Sequence, residues 1–277
     1  MTSWLKLTIA STPSLEEEIA ACLHEGGTIG VESREGRLDA YFPEPLDVEA
    51  LLVRLRTCLS RAGARLDVLS RESIEDGLWH ERWMESLQPF AVGERFLIAP
   101  GLAAPSPHTG RIVIRLTPGR AFGTGEHPTT RMCLELLERE IRPGDRLVDI
   151  GTGSGILAIA GRLLGAGDVW AIDTDETAVR VAARNASDNG ALGIRFVVAG
   201  PEAFAVASAE VIVANLTGAS LVPLIPAFAR FRPRAVILSG ILREEEAEVR
   251  AAGEASGLEA RGRIDDGDWV ALVFGPA

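Results

Sequence analysis

The sequence predicts an α/β protein in which a doubly wound, mostly parallel sheet of seven strands follows a small α+β domain of the ferredoxin-like kind. Beyond residue 142, strand-like apolar segments alternate with amphipathic helical segments, which is typical of a parallel sheet with helices on both faces. The last two strands are joined only by the tight turn Asp265-Asp266-Gly267-Asp268, so we expect them to run antiparallel at the sheet edge. The first 70 residues show the order β-α-β-β-α-β, which predicts the smaller domain.

Residues 1–70 form this smaller domain in the prediction. A strand at residues 4–10 precedes a helix that begins after Pro13 with three glutamates, which offset the positive end of the helix dipole. Two glycines, Gly26-Gly27, end the helix, and the segments TIGVESREG and RLDAYFP indicate a hairpin. A second amphipathic helix is predicted over residues 45–62, and ARLDVLS supplies the fourth strand.

A charged segment, residues 71–88, follows and carries Trp79 and Trp83 one helical turn apart. We expect a linker helix whose tryptophans pack on a neighbouring domain; the alternative is a continuation of one fold. Residues 89–277 then form the larger domain. It opens with the strand-like segments FLIAP and RIVIRL, which are separated by the loop PGLAAPSPHTG.

The seven strands of the large sheet are predicted from short apolar runs bounded by turn residues. In chain order they are RLVDIG, VWAID, IRFVV, AEVIVAN, RAVILSG, LEARGRID and DWVALVF. Helices are predicted at SGILAIAGRLLG, DETAVRVAARNASDN and LREEEAEVRAAGE.

Composition and charge limit the class of protein. The chain has 277 residues, of which 47% are hydrophobic and 24% charged, enough to fill a core. Its net charge of −11 disfavours binding to phosphate backbones, which requires clustered Lys and Arg. The charge would suit a basic partner, although many proteins are acidic for solubility alone. Arg162, Asp168 and Asp173 interrupt the most apolar region, so no membrane span is predicted.

The cysteines Cys22, Cys58 and Cys133 are odd in number and never in C-x-x-C spacing. This pattern favours neither a disulfide framework nor a zinc site, and we expect no bound metal. The N-terminal segment turns acidic too early for a signal peptide. We therefore expect a cytoplasmic protein.

The segment VDIGTGSG, residues 148–155, ends a strand and opens a helix, where doubly wound sheets bind their ligands. Gly151, Gly153 and Gly155 would let the backbone approach a ligand closely. The spacing is G-x-G-x-G and not the G-x-G-x-x-G of dinucleotide sites, which disfavours a nicotinamide-dependent reductase. Asp149 would repel phosphate but attract a cationic ligand. The alternative for the glycines is an ordinary tight turn.

Asp173 ends the next strand, where a carboxylate can accept hydrogen bonds from both hydroxyls of a ribose. Together with the glycine segment it indicates a nucleoside that lacks phosphates and carries a positive centre, which describes S-adenosylmethionine. Asn215 ends the fourth strand on the same rim of the sheet. Nitrogen-directed methyltransferases often hold the amine there with an Asn carbonyl oxygen; the alternative is a helix N-cap or turn residue.

Several blocks of the chain resemble the bacterial ribosomal protein L11 methyltransferases of the PrmA type. They are AFGTGEHPTT, VDIGTGSGILAIA, AIDTD, VANLTGASL and ILSGIL, with the linker segment LWHERWMESLQPF. The N-terminal 70 residues agree in layout more than in motif. The resemblance implies a class I S-adenosylmethionine-dependent methyltransferase. It also implies that lysine side chains and the N-terminal amine of ribosomal protein L11 are methylated, with residues 1–70 as docking domain. A stability or dimerisation domain is the alternative for residues 1–70.

The resemblance also implies the residues of the site. The cofactor ligands carried over are Thr130, Gly151, Asp173 and Asn215. Asn215 is in addition the expected catalytic residue, since its carbonyl oxygen would orient the amine.

The resemblance implies that the loop at residues 121–130 closes over the cofactor, with Phe122 as a lid. His127 could cap the following helix, with Pro128 as its first residue. Neither His127 nor the neighbouring Glu126 is a convincing base, so we expect positioning to dominate catalysis. Departures from the family pattern at Thr117, Arg120 and residues 101–110 concern the substrate entrance.

Two other functions match part of the pattern. A nucleobase N-methyltransferase usually follows the Asn with prolines and an aromatic residue that stacks the base, whereas Leu216-Thr217-Gly218 stand here. A non-catalytic ribosome-binding factor would not need the complete set of cofactor ligands. Methylation of another protein by the same fold is the nearest alternative.

Overall fold

The computed structural model describes residues 3–12, 15–34, 36–43, 45–61, 65–75, 88–101, 110–116, 125–200 and 208–277. The chain divides into two compact units. The first covers residues 1–86 with 118–120, and the second covers residues 87–117 with 121–277. Each unit has a sheet and a hydrophobic core of its own.

In its described part, the first unit is a four-stranded antiparallel sheet with two helices. Its elements are β1 (Ser3–Ala10), α1 (Glu16–Glu25), β2 (Gly30–Arg34), β3 (Arg37–Pro43), α2 (Val48–Arg61) and β4 (Val68–Glu75). The strand order is β2-β3-β1-β4, and every neighbouring pair is antiparallel. The predicted β-α-β-β-α-β layout of a ferredoxin-like domain is confirmed.

The side chains of β1 point alternately to the two faces of the sheet, and one set of them fills the hydrophobic core of this unit. Leu5, Leu7 and Ile9 point to one face and pack with the apolar faces of both helices. Helix α2 begins where Asp47 Oδ1 accepts a hydrogen bond from the backbone N–H of Ala50 at 3.0 Å, an N-terminal cap of the usual kind.

Strand β4 is longer than expected. It extends through Glu75, so residues 71–75 belong to the sheet and do not begin a linker helix. The reason is that β4 is an edge strand, paired only with β1, and an edge tolerates charged side chains such as those of Arg71 and Glu72. Residues 76–87, which include Trp79 and Trp83, lie outside the described residues.

Cys22 on α1 and Cys58 on α2 form a disulfide, with their Cα atoms 5.8 Å apart. The expectation that the cysteine pattern indicates no disulfide is therefore wrong. The two helices contact each other over the sheet, which brings together cysteines that are 36 residues apart in sequence. The spacing of the cysteines in the sequence does not predict that contact. Cys133, in the second unit, is a buried free thiol, and its burial raises the pKa of the thiol.

The second unit begins with a small sheet of three strands. They are β5 (Phe90–Val92), β6 (Phe96–Pro100) and β7 (Ile112–Leu116). Strand β6 lies in the middle, antiparallel to β5 and parallel to β7. The two strand-like segments predicted there are confirmed as β6 and β7.

The large sheet has seven strands in the order β10-β9-β8-β11-β12-β14-β13. In chain order they are β8 (Arg146–Ile150), β9 (Asp168–Asp173), β10 (Ile194–Val198), β11 (Val211–Asn215), β12 (Ala235–Leu242), β13 (Leu258–Asp266) and β14 (Trp269–Pro276). The helices that the structure describes in this unit are α3 (Pro128–Glu140), α4 (Ile156–Leu163), α5 (Glu176–Asp188), α6 (Gly218–Leu221), α7 (Ile225–Arg230) and α8 (Glu246–Ala255). Strands β8 to β12 are parallel, and β13 and β14 are antiparallel to each other, as predicted. Strand β14 also pairs antiparallel with β12, so that β13 alone is the edge strand on this side.

The central strands of this sheet are buried on both faces, whereas the edge strand β13 has exposed residues along its length. In β11, Val211 and Val213 belong to one core cluster, whereas Ile212 and Ala214 belong to the other. A strand buried on both faces is a nearly continuous apolar run, which is why β11 shows no alternation of polar residues. Polar residues are therefore concentrated where the parallel strands end. None of the helices among the described residues has the length and apolar character needed to cross a bilayer.

Candidate active site

The turn after β8 is fastened to the end of β9. The backbone N–H groups of Gly151 and Thr152 both donate to the carbonyl oxygen of Ile172, at 2.9 and 3.0 Å. Gly151 has a φ of +71°, and a Cβ atom there would lie 2.6 Å from Cδ2 of Leu216, which follows β11. This glycine lets the turn approach the end of β11 closely.

Gly155 serves a different purpose from Gly151. It has a φ of +83° at the start of α4, and a Cβ atom there would lie 2.8 Å from Cβ of Ala182 on α5. Gly155 is needed where the two helices pack. For this glycine, therefore, the alternative explanation of a structural turn is sufficient.

Asp173 faces the glycine turn from the end of β9. Its Oδ2 accepts a hydrogen bond from the backbone N–H of Gly153 at 2.9 Å, and its Oδ1 accepts one from that of Asp175 at 3.0 Å. An ionised carboxylate has about four acceptor positions, so capacity remains for two ligand hydroxyls. The half-buried side chain is thus oriented by the turn in which a nucleoside would lie.

Asp149 lies beneath the same turn and is fully buried. Its Oδ2 accepts hydrogen bonds from the Thr152 hydroxyl at 2.7 Å and the backbone N–H of Ala158 at 3.1 Å. Its Oδ1 has no hydrogen-bond partner among the described residues. Burial and, to a smaller extent, the charge of Asp173 raise the pKa of this carboxyl to about 7, although the hydrogen bonds from Thr152 and Ala158 act in the opposite direction. With this pKa the carboxyl is partly ionised at neutral pH, and a negative charge beneath the turn favours a ligand with a positive centre over a phosphate.

Asn215 and Thr130 meet at the end of β11. The Asn215 Nδ2 atom donates a hydrogen bond to Thr130 Oγ1 at 3.2 Å, and Thr130 is almost fully buried. Asn215 is not a helix N-cap, because the N-cap position of the next helix, α6, is Thr217. With Nδ2 bonded to Thr130, the carbonyl oxygen of the amide is the atom left to accept a further hydrogen bond.

The start of α3 is built as predicted. His127 is its N-cap, Pro128 is its first residue, and His127 Nδ1 accepts from the backbone N–H of Thr129 at 3.3 Å. The imidazole also makes an edge contact with the Trp269 ring, at 5.1 Å between centroids. These contacts fix the imidazole as a structural cap, and Glu126 is exposed to solvent.

Some expected features of the site lie outside the described residues. They are Phe122 and the remainder of the loop at residues 117–124, with the departures at Thr117 and Arg120, and residues 102–109. Within the described part of the chain, no group of His, Cys, Asp and Glu side chains is placed to hold a metal ion.

The structure brings the predicted residues to one rim of the sheet. Thr130 contacts Asn215, Gly151 lies against the residue that follows Asn215, and Asp173 binds the glycine turn. Two further residues of this rim, Ser239 and Gly240 in β12, had no role assigned from sequence. The signal that could have found them is a polar residue and a glycine inside an otherwise apolar strand.

The chain is similar to known members of one protein family. The sequence model of the family described as ribosomal protein L11 methyltransferase (PrmA) matches residues 3–276. A ribosomal protein L11 methyltransferase of Chloroflexus aurantiacus is 36% identical over an alignment of 331 residues that covers 98% of each chain. One from Desulforamulus reducens is 38% identical over 240 residues, or 84% of this chain and 77% of the relative.

The fold is similar to that of a solved structure as well. The crystal structure of a ribosomal protein L11 methylase from Lactobacillus delbrueckii subsp. bulgaricus superimposes with a TM-score of 0.65 at 30% sequence identity. The superposition covers 69% of this chain and 99% of the other.

Proposed function

Because the chain belongs to the ribosomal protein L11 methyltransferase (PrmA) family, we propose that it methylates lysine side-chain and N-terminal amines of ribosomal protein L11 with S-adenosylmethionine. The observation that carries the proposal is the hydrogen bond between Asn215 and Thr130, which leaves an amide oxygen to accept a hydrogen bond beside the glycine turn. Such an acceptor suits an incoming amine, and the turn suits the nucleoside part of the cofactor.

The cofactor would be held by four residues of this rim. Asp173 would accept the ribose hydroxyls, and Gly151 would allow close approach of the backbone. Thr130 would contact the cofactor from α3, and Asn215 would contact it from the end of β11. The partly ionised carboxyl of Asp149, buried beneath the glycine turn, supports a ligand with a positive centre through its charge. When bound, S-adenosylmethionine supplies a methyl group on a positively charged sulfur.

The amine must be neutral before it can accept the methyl group. For a lysine, with a pKa near 10.4, forming the free base at pH 7 costs about 4–5 kcal/mol, whereas an α-amine costs about 1 kcal/mol. The Asn215 carbonyl oxygen would accept a hydrogen bond from the amine N–H and direct the nitrogen lone pair at the methyl group. Removal of water from around the bound amine would further favour its neutral form.

The first unit, with residues 1–70 as the predicted domain, would dock the protein substrate, free or on the ribosome. We expect no direct contact with nucleic acid, since the net charge is −11. Action on a ribosomal protein supports a cytoplasmic location. The Cys22–Cys58 disulfide runs against this location, because cytosolic thiols are normally kept reduced.

The test is single-turnover methyl transfer from labelled S-adenosylmethionine to purified L11, with mass spectrometry to locate the label. The Asn215→Ala variant should transfer about 10²-fold more slowly at saturating cofactor and substrate, as expected when an aligned amine loses its acceptor. Ser220→Ala, at an exposed position of the following helix, is the control.

Two outcomes would contradict the proposal. A protein that binds the cofactor by calorimetry but labels neither L11 nor any other ribosomal protein would be a non-catalytic binding factor. An Asn215→Ala variant with the normal single-turnover rate would leave this asparagine as a turn residue.

A further inference from the structure

Strand β12 contains a bulge beside Asn215. Between the paired positions Leu238 and Ile241, β12 holds two residues, Ser239 and Gly240, where the facing strand β14 holds one. A bulge bends its strand locally and redirects side chains, and bulges are frequent next to active sites. In the parallel pairing of β11 with β12, Asn215 is the direct neighbour of Ser239. The bulge is therefore adjacent to the proposed amine acceptor.

Gly240 lies against the chain that follows Asn215. Its φ is +85°, in the left-handed region that favours glycine. A Cβ atom at this position would lie 2.4 Å from the carbonyl oxygen of Leu216 and 3.2 Å from Oδ1 of Asn215. The first distance is too short for any real contact with backbone. A larger residue would therefore displace either the bulge or the end of β11, and would crowd the amide oxygen.

Ser239 connects β12 to the start of α3. It is fully buried, and its hydroxyl donates to the carbonyl oxygen of Thr129 at 3.1 Å. Its own carbonyl oxygen accepts from the backbone N–H of Leu216 at 3.0 Å. The residue after Thr129 is Thr130, which accepts the hydrogen bond from Asn215. Ser239 thus bonds the chain neighbours of both partners, Thr129 through its side chain and Leu216 through its backbone.

The orientation of the Asn215 amide depends on this arrangement. An Asn side chain presents either an acceptor oxygen or a donor NH₂ in a given direction. Because Thr130 accepts from Nδ2, the oxygen Oδ1 faces away from Thr130. The reverse orientation would direct N–H groups at the amine, which must itself donate.

We propose that the Ser239–Gly240 bulge is the positioning element for methyl transfer. Ser239 keeps Thr130 in place to bond Asn215 Nδ2, and Gly240 leaves space for Asn215 Oδ1. This inference rests on the proposed function, since it assumes that Asn215 meets the amine. Ser239 and Gly240 are positioning residues that act through Asn215, and neither touches the reacting atoms.

The experiment is a double-mutant cycle measured by single-turnover methyl transfer to L11. Gly240→Ala should lower the rate about 10- to 100-fold at saturating cofactor, since displacements near 1 Å can have effects of that size. In the Asn215→Ala background the same substitution should have little further effect, because the group through which it acts is gone. KM for L11 should change little in either background.

Two variants complete the design. Gly257→Ala is the matched control, because Gly257 has a similar φ of +78° but a Cβ atom there would have nothing within 4 Å. It should keep the normal rate. Ser239→Ala removes the hydroxyl bond without a backbone clash and should lower the rate about three- to ten-fold, again only where Asn215 is present. It keeps the inference testable if Gly240→Ala does not fold.

The outcomes separate the two proposals. If the wild-type protein labels no L11, the proposed function fails. If it does label L11, the rates of the double variants decide the positioning role. That role would be overturned if Gly240→Ala and Ser239→Ala lowered the rate by the same factor in the Asn215→Ala background as in the wild type. Unchanged rates in both folded single variants would overturn it as well.

Discussion

The contribution of Asp173 to cofactor binding can be tested by substitution, with a second carboxylate as the control for the loss of negative charge. Asp173 orients the glycine turn through the backbone N–H groups of Gly153 and Asp175, and it is the proposed acceptor for the ribose. Asp173→Ala should weaken S-adenosylmethionine binding by about 1.5–3 kcal/mol, the usual range for a charged hydrogen bond. Calorimetry measures this, with Glu176→Ala, an exposed carboxylate on the adjoining helix, as control. Equal affinity of Asp173→Ala and wild type would refute the assignment.

Asp149 should make stability depend on pH. Burial raises the pKa of its carboxyl from 3.8 to about 7, so between these values the unfolded chain loses a proton that the folded protein keeps. The free energy of unfolding therefore falls as the pH rises through this window. Above the window, Asp149 causes no further change in it. At about 1.36 kcal/mol per pKa unit the loss is a few kcal/mol.

Asp149→Asn should remove that dependence, since an amide oxygen can still accept from Thr152 and Ala158. Urea unfolding at pH 5 and pH 8 measures the difference between variant and wild type. If both proteins lose the same stability between the two pH values, the buried carboxyl does not titrate as described.

Among the elements, the three-stranded sheet is attached to the helices of the second unit by two polar side chains. Glu138, near the end of α3, accepts from the backbone N–H groups of Glu94 and Arg95 at 3.0 and 2.8 Å. Asn189, after α5, donates to and accepts from the backbone of Arg115 in β7, at 2.6 and 2.7 Å. These side chains satisfy backbone groups that no neighbouring strand reaches.

Such contacts mark the limit of what sequence could predict. The strands, the helices and the places of Asp173 and Asn215 follow from local periodicity and from the rule that parallel strands end on one rim. The hydroxyl bond from Ser239 to Thr129 spans 110 residues, and it depends on packing that has no local signal. The same holds for the pairing of Cys22 with Cys58, which local spacing disfavoured.

That disulfide should stabilise the first unit. Closing a loop between cysteines 36 residues apart restricts the unfolded chain and is expected to contribute about 3–4 kcal/mol. Thermal unfolding with and without reductant measures the effect on the wild-type protein. Cys58→Ser should resemble the reduced wild type and be insensitive to reductant. A melting curve that reductant leaves unchanged in the wild type would show that the bond is not formed in solution.

At the scale of the whole molecule, the two units have separate cores and separate proposed tasks. A chain that begins at Leu87, where the second unit starts, should still bind S-adenosylmethionine but lose most methylation of L11, because the docking energy is missing. Cofactor calorimetry and methylation of intact L11, measured on both chains, test this. Equal methylation by the shortened and full chains would refute the docking role of the first unit.

The position of β14 has a consequence for synthesis of the protein on a ribosome. Strand β14 is made after β13 yet lies between β12 and β13 in the sheet. While the nascent chain emerges, β13 has no strand to pair with until β14 has followed it. The two must therefore join as a hairpin, through the turn at Gly267 and Asp268, and β12 keeps an open, apolar edge until they do. A ribosome that stalls within these last strands would present that edge to chaperones and to other nascent chains.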